Sequence, residues 1–313
     1  MERTTFSQAI TGYLLAARAR RLSEDTIKSY LYGLNAFQRH LGTDRELVTI
    51  TSTDIRAFLV SLSHLSPKTV RIHYHALAAL WTWSVAEGLV TRHVPREVGA
   101  PRCTDRVIQP FTKEELLAMI RACDRTAGYT RPGRRLCDNA RPTALRDRAI
   151  LLLLVDTGMR ASELCGLHVN QADLKNHRLI VTGKGNRERM VPVSPRTEQA
   201  IWRYLKTRDD TTYHGAWLIE TGPGQPFSRD VLRRLLNRLG RRASVPGVNV
   251  HRFRHTCAIQ ALRNGMNVFA LQRLLGHATL DMVRRYLALA ETDVAAAHRE
   301  ASPVKIGNGA CQP

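Results

Sequence analysis

A short stretch of helical pattern, from His251 to Tyr286, holds side chains that could bind and attack a phosphate. His251 and Arg254 are one helical turn apart, so they share a face of the predicted helix. The arginine presents several donors to phosphate oxygens in a fixed fork, and a neighbouring histidine can transfer a proton near neutral pH. The ordinary alternative for this pair is a helix N-terminus with surface charges. His255 is interpreted as a structural residue on a different face.

Tyr286 is the candidate nucleophile of this stretch. It lies on the apolar stripe of a predicted helix, where a core tyrosine with its hydroxyl at the surface is the ordinary interpretation. Arg284 and Arg285 beside it, and His277 nine residues earlier, give it a cationic setting. Such a setting stabilises a phenolate, which suits attack on phosphorus.

Arg160 and Lys184 lie upstream and can complete such a site. Arg160 follows a glycine bend at the start of a short predicted helix, where it can point toward an anion or pair with Glu163 or Asp156. The i,i+3 spacing places the Glu163 carboxylate beside the guanidinium. Lys184 lies at the tip of a predicted β-hairpin, where a lysine can bind a phosphate or donate a proton, although most hairpin lysines do neither.

A zinc site formed by His251, His255 and His277 is the alternative for the histidines. Their spacing is interpreted as unlike that of helical zinc ligands, and no nearby carboxylate completes a ligand set. The six cysteines are scattered without a Cys-x-x-Cys pair, so neither a zinc ribbon nor a disulfide framework is predicted. We therefore expect no metal and no cofactor.

The charge of the chain favours a polyanionic partner. Its 313 residues include 47 lysines and arginines against 27 acidic residues, a net charge of +20. Residues 1–100 carry +4 and residues 101–313 carry +16, so the excess follows the candidate site. Nucleic acid is the first candidate, ahead of basicity for solubility alone. The longest aliphatic run, residues 149–155, is too short to cross a membrane, and the absence of a signal-peptide pattern predicts a cytoplasmic, nucleoid-associated protein.

Residues 1–98 are predicted to form a helical domain. Apolar periodicity indicates four to five helices, with an N-cap residue at Ser23 and helix starts after residues 51–54 and 66–68. The faces predicted to be exposed are either DNA-contacting or simply solvated, and they carry Arg20, Arg21, Lys28, Lys68, Arg71, His73 and His75.

A Pro- and Gly-containing linker, 99–110, precedes a predicted second domain, 111–290, and a tail, 291–313, with a short helix over 291–301. The second domain is expected to hold a core helix (147–156), the hairpin (179–182 and 189–193), and helices over 197–205, 227–239, 251–263, 267–275 and 279–290. The basic residues of the 227–239 helix proposed for DNA binding are Arg229, Arg233 and Arg234. A basic segment, 124–146, is predicted to be a surface loop that contacts DNA or solvent.

The order of these site residues resembles the tyrosine recombinases, the phage-integrase and Xer-type family of site-specific recombinases. Thr157 to Leu164 resembles the family's first-arginine motif, and His251 to Thr256 resembles its His-x-x-Arg box. Leu274 to His277, with a tyrosine nine residues later, resembles its third motif. Residues 5–95 are similar to its helical core-binding, SAM-like domain. The chain departs from the common pattern at Met282-Val283, where many members carry two threonines, and at Ala288, where a histidine is frequent; neither position is chemical.

The resemblance implies a mainly α fold with a small antiparallel β-sheet in the C-terminal domain. An all-helical N-terminal core-binding domain and a mixed α+β catalytic domain would form a C-shaped DNA clamp. In the implied mechanism Tyr286 attacks a DNA phosphodiester, forms a 3′-phosphotyrosyl link and frees a 5′-hydroxyl, without a metal. The implied roles are phosphate binding for Arg160 and Arg254, protonation of the 5′-oxygen for Lys184, acid–base catalysis for His251, a phosphate hydrogen bond for His277, and positioning of Arg160 for Glu163.

The implied partners are a double-stranded DNA recombination site and three further copies of the chain. The homo-tetramer would hold two DNA sites and pass through a Holliday junction, and the chain without DNA would be a monomer or weak dimer. Accessory recombination factors are potential partners, and a membrane is not. The 291–301 helix would dock on a neighbouring copy or pack on its own domain. A type IB topoisomerase and a non-catalytic DNA-binding protein are the alternatives, and both integration or excision of a mobile element and dimer resolution stay open as the biological task.

Overall fold

The computed structural model of the chain describes residues 4–103, 108–125, 139–183, 188–208, 216–276 and Tyr286. The chain divides into two units, residues 1–107 and 108–313, and each has its own hydrophobic core. The finer predicted division into a 1–98 domain, a linker, a 111–290 domain and a tail stays a prediction. None of the described helices is long and apolar enough to cross a membrane.

The described elements of the first unit are helices whose starts follow from their capping residues. Side chains of Thr5, Ser23, Thr51 and Ser66 each accept a hydrogen bond from the first helical turn, which satisfies backbone donors that have no partner within the helix. The helices are α1 (Phe6–Ala19), α2 (Glu24–Leu41), α3 (Ser52–Ser61), α4 (Pro67–Ala86) and α5 (Val94–Val98). Their apolar faces bury a core that includes Phe6, Phe37, Phe58 and Trp81.

Helices α2 and α4 pack closely because glycine occupies the contact point. A Cβ added at Gly33 would lie 2.7 Å from the Cβ of Ala76. This close approach buries His73, whose ring contacts those of Tyr32 and Phe58. The prediction that His73 is exposed is therefore wrong, and its position on the same face of α4 as Ala76 and the apolar stripe explains why.

The second unit combines helices with two small antiparallel sheets. Its helices are α6 (Lys113–Ala122), α7 (Ala144–Thr157), α8 (Ala161–Cys165), α9 (Pro195–Leu205), α10 (Arg229–Arg242), α11 (Val250–Arg263) and α12 (Val268–Leu275). Its strands are β1 (Ala172–Asp173), β2 (Arg178–Thr182), β3 (Glu188–Pro192), β4 (Glu220–Gly222) and β5 (Gln225–Pro226). The sheets have the orders β1-β2-β3 and β4-β5. The predicted mainly α fold with a small antiparallel sheet is confirmed.

Helix α7 forms the centre of the second core and packs against both α9 and α11. It ends at Gly158, which adopts the left-handed conformation with φ of 58°. A Cβ added there would lie 2.8 Å from Cδ2 of Leu275 and 3.1 Å from Sγ of Cys257. Both the backbone conformation and the close approach of α11 and α12 therefore require glycine.

The beginning of α7 contains a buried carboxylate, Asp147, that accepts from two arginines. Arg141 donates to Oδ2 at 2.6 Å, and Arg146 donates to Oδ1 at 3.0 Å. Both guanidiniums are largely buried. Because a buried charge needs a partner and hydrogen bonds, they pair with the Asp147 carboxylate. For these two arginines the prediction of a surface loop in contact with DNA or solvent is wrong. Residues 126–138 of that segment lie outside the described residues.

The β2–β3 hairpin places alternate side chains of each strand on the core. Leu179 pairs with Val191, and Val181 pairs with Arg189. Leu179, Val181 and Val191 are buried hydrophobic residues. Because successive side chains point to opposite faces, Arg189 lies on the same face as Val191. The hairpin tip with Lys184 lies outside the described residues.

Candidate active site

Glu163 is the centre of a hydrogen-bonded cluster where α8, β3 and the end of α12 meet. Its carboxylate is 1% exposed and accepts four hydrogen bonds. Two come from the backbone N and Nη1 of Arg160, both at 2.8 Å, and two come from Nη1 and Nη2 of Arg189, both at 2.9 Å. The bond to the Arg160 backbone N also caps the first turn of α8, which fixes where this helix begins.

The Glu163 carboxylate is ionised in this cluster. Burial by itself raises its pKa, but the hydrogen bonds and charges of Arg189 and Arg160 act more strongly and hold the pKa at about 2. Of the two predicted alternatives for pairing with Arg160, the structure selects Glu163. Asp156 instead accepts from the backbone N of Ser194 at 2.7 Å, at the start of α9.

Arg254 reaches the same place from α11. It is buried, and it donates from Nη1 to the Gly158 carbonyl at 2.8 Å and from Nη2 to the Leu275 carbonyl at 2.6 Å. Burial, followed by the charge of Arg160, lowers its pKa to about 10, so the guanidinium is still protonated at neutral pH. Two backbone carbonyls therefore fix its plane while other N–H groups stay available for a ligand.

Three arginines converge on the carboxyl end of α12. The last carbonyls of a helix have no partner within it and carry the negative end of the helix dipole, so guanidiniums are favourable there. The carbonyls of Leu274, Leu275 and Gly276 accept from Arg189 (3.0 Å), Arg254 (2.6 Å) and Arg160 (3.3 Å), respectively. Gly276 ends the helix in the left-handed conformation, with φ of 64°. His277 is the next residue in the chain and lies outside the described residues.

The cluster has an excess of positive charge. Arg160, Arg189 and Arg254 are balanced by a single ionised carboxylate, Glu163, which leaves a net charge of +2 among these four side chains. Arg160 is the most open of them, with 36% of its side chain exposed, whereas Arg189 is 14% exposed. Such a site can bind an anion and stabilise further negative charge that develops on it.

Tyr286 is helical, buried, and adjacent to Arg254 and His255. Burial raises the pKa of its phenol, while the charge of Arg254 and a hydrogen bond from its side chain act in the opposite direction. Arg284, Arg285 and His277, which gave the expected cationic setting, lie outside the described residues. Of the described groups, Arg254 favours the phenolate as expected, but burial has the larger effect. The phenol carries its proton at neutral pH and must lose it when it acts as a nucleophile.

The two histidines of α11 are closer to each other than the sequence interpretation assumed. His251 is exposed, and His255 lies one turn later with its ring 5.0 Å from that of Tyr286 at 74°. Burial, then the charges of His251 and Arg254, lower the pKa of His255. The placement of His255 on a different face is wrong, and the pair has the i,i+4 spacing that helical zinc ligands use. Within the described ranges, no cluster of three His, Cys, Asp or Glu side chains could hold a metal ion.

The structure thus brings Arg160, Glu163, Arg254 and Tyr286 together and leaves Lys184 and His277 outside the described residues. Eight of the basic side chains proposed for DNA binding are exposed, whereas His73 is buried and the guanidiniums of Arg141 and Arg146 are largely buried. On the first unit the exposed side chains are Arg20, Arg21, Lys28, Lys68 and Arg71, and on α10 they are Arg229, Arg233 and Arg234. The residue that sequence reasoning missed is Arg189. Its strand position shared a face with Val191, which was a signal that its side chain points inward.

Comparison with known proteins identifies the family of this chain. Residues 111–293 match the phage integrase family, and residues 11–89 match the phage integrase N-terminal SAM-like domain. The chain is 30% identical over 299 residues to the tyrosine recombinase XerD of Mycobacterium leprae (strain TN), covering 89% of this chain and 90% of that protein. The chain belongs to the phage integrase family. It is also 30% identical over 277 residues to the tyrosine recombinase XerC of Listeria innocua serovar 6a (strain ATCC BAA-680 / CLIP 11262), covering 85% and 88% of the two chains.

Solved structures share the fold of this recombinase. The Tn1549 transposon integrase (residues 82–397) in complex with circular intermediate DNA has a TM-score of 0.73 at 20% identity, covering 95% of this chain and 99% of that one. A lambda integrase (75–356) dimer bound to a COC′ core site has a TM-score of 0.70 at 19% identity, covering 89% and 97%. As a tyrosine recombinase, this protein is an enzyme that cleaves and rejoins DNA strands in site-specific recombination.

Proposed function

We propose that Tyr286 is the nucleophile of this recombinase and that Arg160 and Arg254 hold the scissile phosphate. The Tyr286 oxygen attacks phosphorus, the bond from phosphorus to the 5′-oxygen breaks, and a 3′-phosphotyrosyl link forms. Lys184 protonates the departing 5′-oxygen, and His277 donates a hydrogen bond to the phosphate. The covalent link preserves the energy of the broken bond, so that the reverse reaction joins a new 5′-hydroxyl without a nucleotide or a metal.

The observation that carries this proposal is the arginine cluster beside a buried tyrosine. A phosphodiester carries one negative charge, and the transition state of attack adds another, which the net charge of +2 around Glu163 matches. Arginines held by backbone carbonyls and a carboxylate need little reorganisation when this charge develops. Removing one preorganised donor of this kind typically costs about 100- to 1,000-fold in rate.

The raised pKa of Tyr286 requires a proton acceptor in the first step. Because burial raises the pKa of the phenol, a nearby base must take its proton when it attacks. We assign His251 as the acid–base residue, since it is exposed on the first turn of α11 and an imidazole is the side chain most often used as a general acid or base. Glu163 positions Arg160 and does not touch the substrate.

DNA binding is proposed to use the exposed basic residues of both units. Arginines and lysines on the first unit and on α10 can contact backbone phosphates of double-stranded DNA, and such binding weakens as salt rises. Their individual replacement should lower affinity without changing the cleavage rate of bound DNA.

The proposed assembly is a homo-tetramer on two DNA sites, with a monomer or weak dimer in the absence of DNA. Among proteins of this fold, a lambda integrase tetramer bound to a Holliday junction has been solved, with a TM-score of 0.68 at 18% identity over 88% of this chain and 78% of that one. Docking of the 291–301 helix on a neighbouring copy, accessory recombination factors and a cytoplasmic, nucleoid-associated location belong to the same proposal. The chemistry serves integration or excision of a mobile element and dimer resolution equally.

A nicked suicide substrate tests the nucleophile, because loss of a short 5′ fragment traps the covalent complex. Wild-type protein should form a protein–DNA adduct, and Tyr286→Phe should form none while it still binds DNA in a gel shift. Tyr204→Phe is the matched control, since Tyr204 is also a buried tyrosine of the second unit and its hydroxyl only accepts a bond from the backbone of Glu220. Adducts that persist in Tyr286→Phe would show that another residue attacks, and loss of cleavage on adding EDTA would show that a metal takes part.

A further inference from the structure

Arg189 connects three parts of the active site that lie far apart in sequence. It comes from β3 of the hairpin, its Nη1 and Nη2 donate to both oxygens of Glu163, and its Nε donates to the Leu274 carbonyl. The same Glu163 oxygens accept from Arg160. The hairpin, the first-arginine helix α8 and the end of α12 are therefore joined through one guanidinium.

The geometry uses the full hydrogen-bonding capacity of the Glu163 carboxylate and three of the five N–H donors of Arg189. A carboxylate has about four lone-pair directions, and Glu163 uses all four, two of them for Arg189. The fork of Arg189 fixes the plane of the carboxylate, and the carboxylate in turn fixes the direction of the Arg160 side chain. A lysine could supply the charge, but as a single point it could not hold both oxygens and the Leu274 carbonyl at once.

The backbone around Arg189 leaves little freedom for this guanidinium. A Cβ added at Gly276 would lie 3.1 Å from Cζ of Arg189, so the turn that ends α12 packs directly on it. Arg189 also lies on the inward face of β3, opposite the buried Val181 on β2. A shift of this strand would therefore be transmitted to Arg160 and to the end of α12.

We propose that Arg189 is a positioning residue of the recombination reaction. It orients Arg160 through Glu163 and holds the end of α12, and thereby keeps β3, α8 and the end of α12 in one arrangement around the phosphate-binding Arg160. This inference rests on the proposed function, in which Arg160 holds the scissile phosphate. Arg189 orients Arg160 but does not itself touch DNA. Misplacement of a reacting group by 1 Å can cost about 100-fold in rate, which sets the size of the effect expected.

The test compares single-turnover cleavage of the nicked substrate at saturating DNA with DNA affinity in a gel shift. Arg189→Lys should slow adduct formation by about 10- to 100-fold with an unchanged Kd. Arg178→Lys is the matched control, because Arg178 is an exposed arginine on the neighbouring strand β2 that pairs with Asp173. It should cleave at the wild-type rate. A wild-type rate in Arg189→Lys, or a loss confined to Kd, would overturn the inference.

Two further readouts separate positioning from general stabilisation. If Arg189 acts through Glu163, the double variant Arg189→Lys/Glu163→Gln cleaves no more slowly than the slower of the two single variants. A loss of cleavage rate in the double variant equal to the product of the two single losses would contradict this. A scissile methylphosphonate, which lacks one charged oxygen for Arg160 to hold, should shrink the rate penalty of Arg189→Lys, whereas an unchanged rate penalty would indicate that only stability was affected.

If Arg189→Lys does not fold, the double variant Arg189→Gln/Glu163→Gln removes the two charges together. A wild-type cleavage rate in that folded variant overturns the inference, while a loss of about 10-fold or more supports it.

The outcomes also separate this inference from the proposed function. Adducts in Tyr286→Phe would refute the assigned nucleophile whatever Arg189 does. An inactive Tyr286→Phe together with a wild-type rate in Arg189→Lys would leave the nucleophile in place and refute only the positioning role.

Discussion

Replacing Glu163 by glutamine should destabilise the second unit by an amount that depends on pH. The hydrogen bonds from Arg189 and Arg160 lower the pKa of this carboxyl, despite its burial, from 4.5 to about 2. At about 1.4 kcal/mol per pKa unit, the ionised carboxylate contributes about 3 kcal/mol to folding at neutral pH. Because the folded-state pKa is the lower one, this contribution is present above pH 4.5 and is lost as the pH falls toward 2.

The pH dependence of the free energy of unfolding tests the ionised carboxylate in a way that does not depend on how the glutamine amide of Glu163→Gln packs. Between pH 7 and pH 3 the wild-type carboxylate should lose about 2 kcal/mol of its contribution, whereas glutamine has nothing to lose. The difference in free energy of unfolding between wild type and Glu163→Gln should therefore shrink by about 2 kcal/mol over this range.

Urea unfolding of the full chain, fitted with one transition for each unit, measures this difference. Glu198→Gln is the control for removal of one negative charge, because Glu198 pairs with the exposed His177 on the same unit. A wild-type minus Glu163→Gln difference that is equal at pH 7 and pH 3 would refute the view that an ionised Glu163 holds the arginine cluster together.

Three further outcomes are expected. Gly158→Ala should lower the free energy of unfolding by about 3 kcal/mol, because it adds strain at positive φ and places a methyl group 2.8 Å from a side chain of α12. Gly247 also has a positive φ but has open space around it, so Gly247→Ala should lower this free energy by only about 1 kcal/mol in the same urea titration. Asp147→Asn should cost about 3–5 kcal/mol, because it leaves two buried arginines without a carboxylate, and an unchanged urea midpoint would contradict the buried charge cluster. Because burial raises the pKa of Tyr286, the absorbance difference at 295 nm between wild type and Tyr286→Phe should show the Tyr286 phenolate forming at a higher pH than in free tyrosine. Phenolate formation at a lower pH than in free tyrosine would contradict this.

Local signals in the sequence were sufficient for the helices and the main hairpin. The N-cap residue Ser23 marks the start of α2 because its short polar side chain satisfies an orphan backbone donor, and the structure shows this bond. The hairpin was predictable from two apolar runs around a Gly-Lys-Gly turn. Strands β1, β4 and β5 were missed because two or three residues carry no periodicity.

The errors concern polar groups whose environment depends on distant parts of the chain. Arg141 and Arg146 look like solvent-exposed arginines until Asp147 is known to face them from a core helix. His73 looks like part of a basic face until Gly33 allows α2 to approach.

The site residues were predictable as a set and only partly as a geometry. The spacing and order of Arg160, Arg254 and Tyr286 indicated phosphate chemistry, and the structure places these side chains together. Arg189 was missed because an arginine in a strand is ordinarily solvent-exposed. Its i,i+2 relation to Val191 was the available signal, and the partner that makes its burial favourable, Glu163, is 26 residues away in sequence.

The most direct test of the account is to identify the residue that carries the DNA. A covalent complex trapped on the nicked substrate can be digested with protease and nuclease, and the modified peptide can be sequenced by mass spectrometry. The account predicts a 3′-phosphoryl link on Tyr286. A link on any other residue, or a link to a 5′-phosphate, would contradict it.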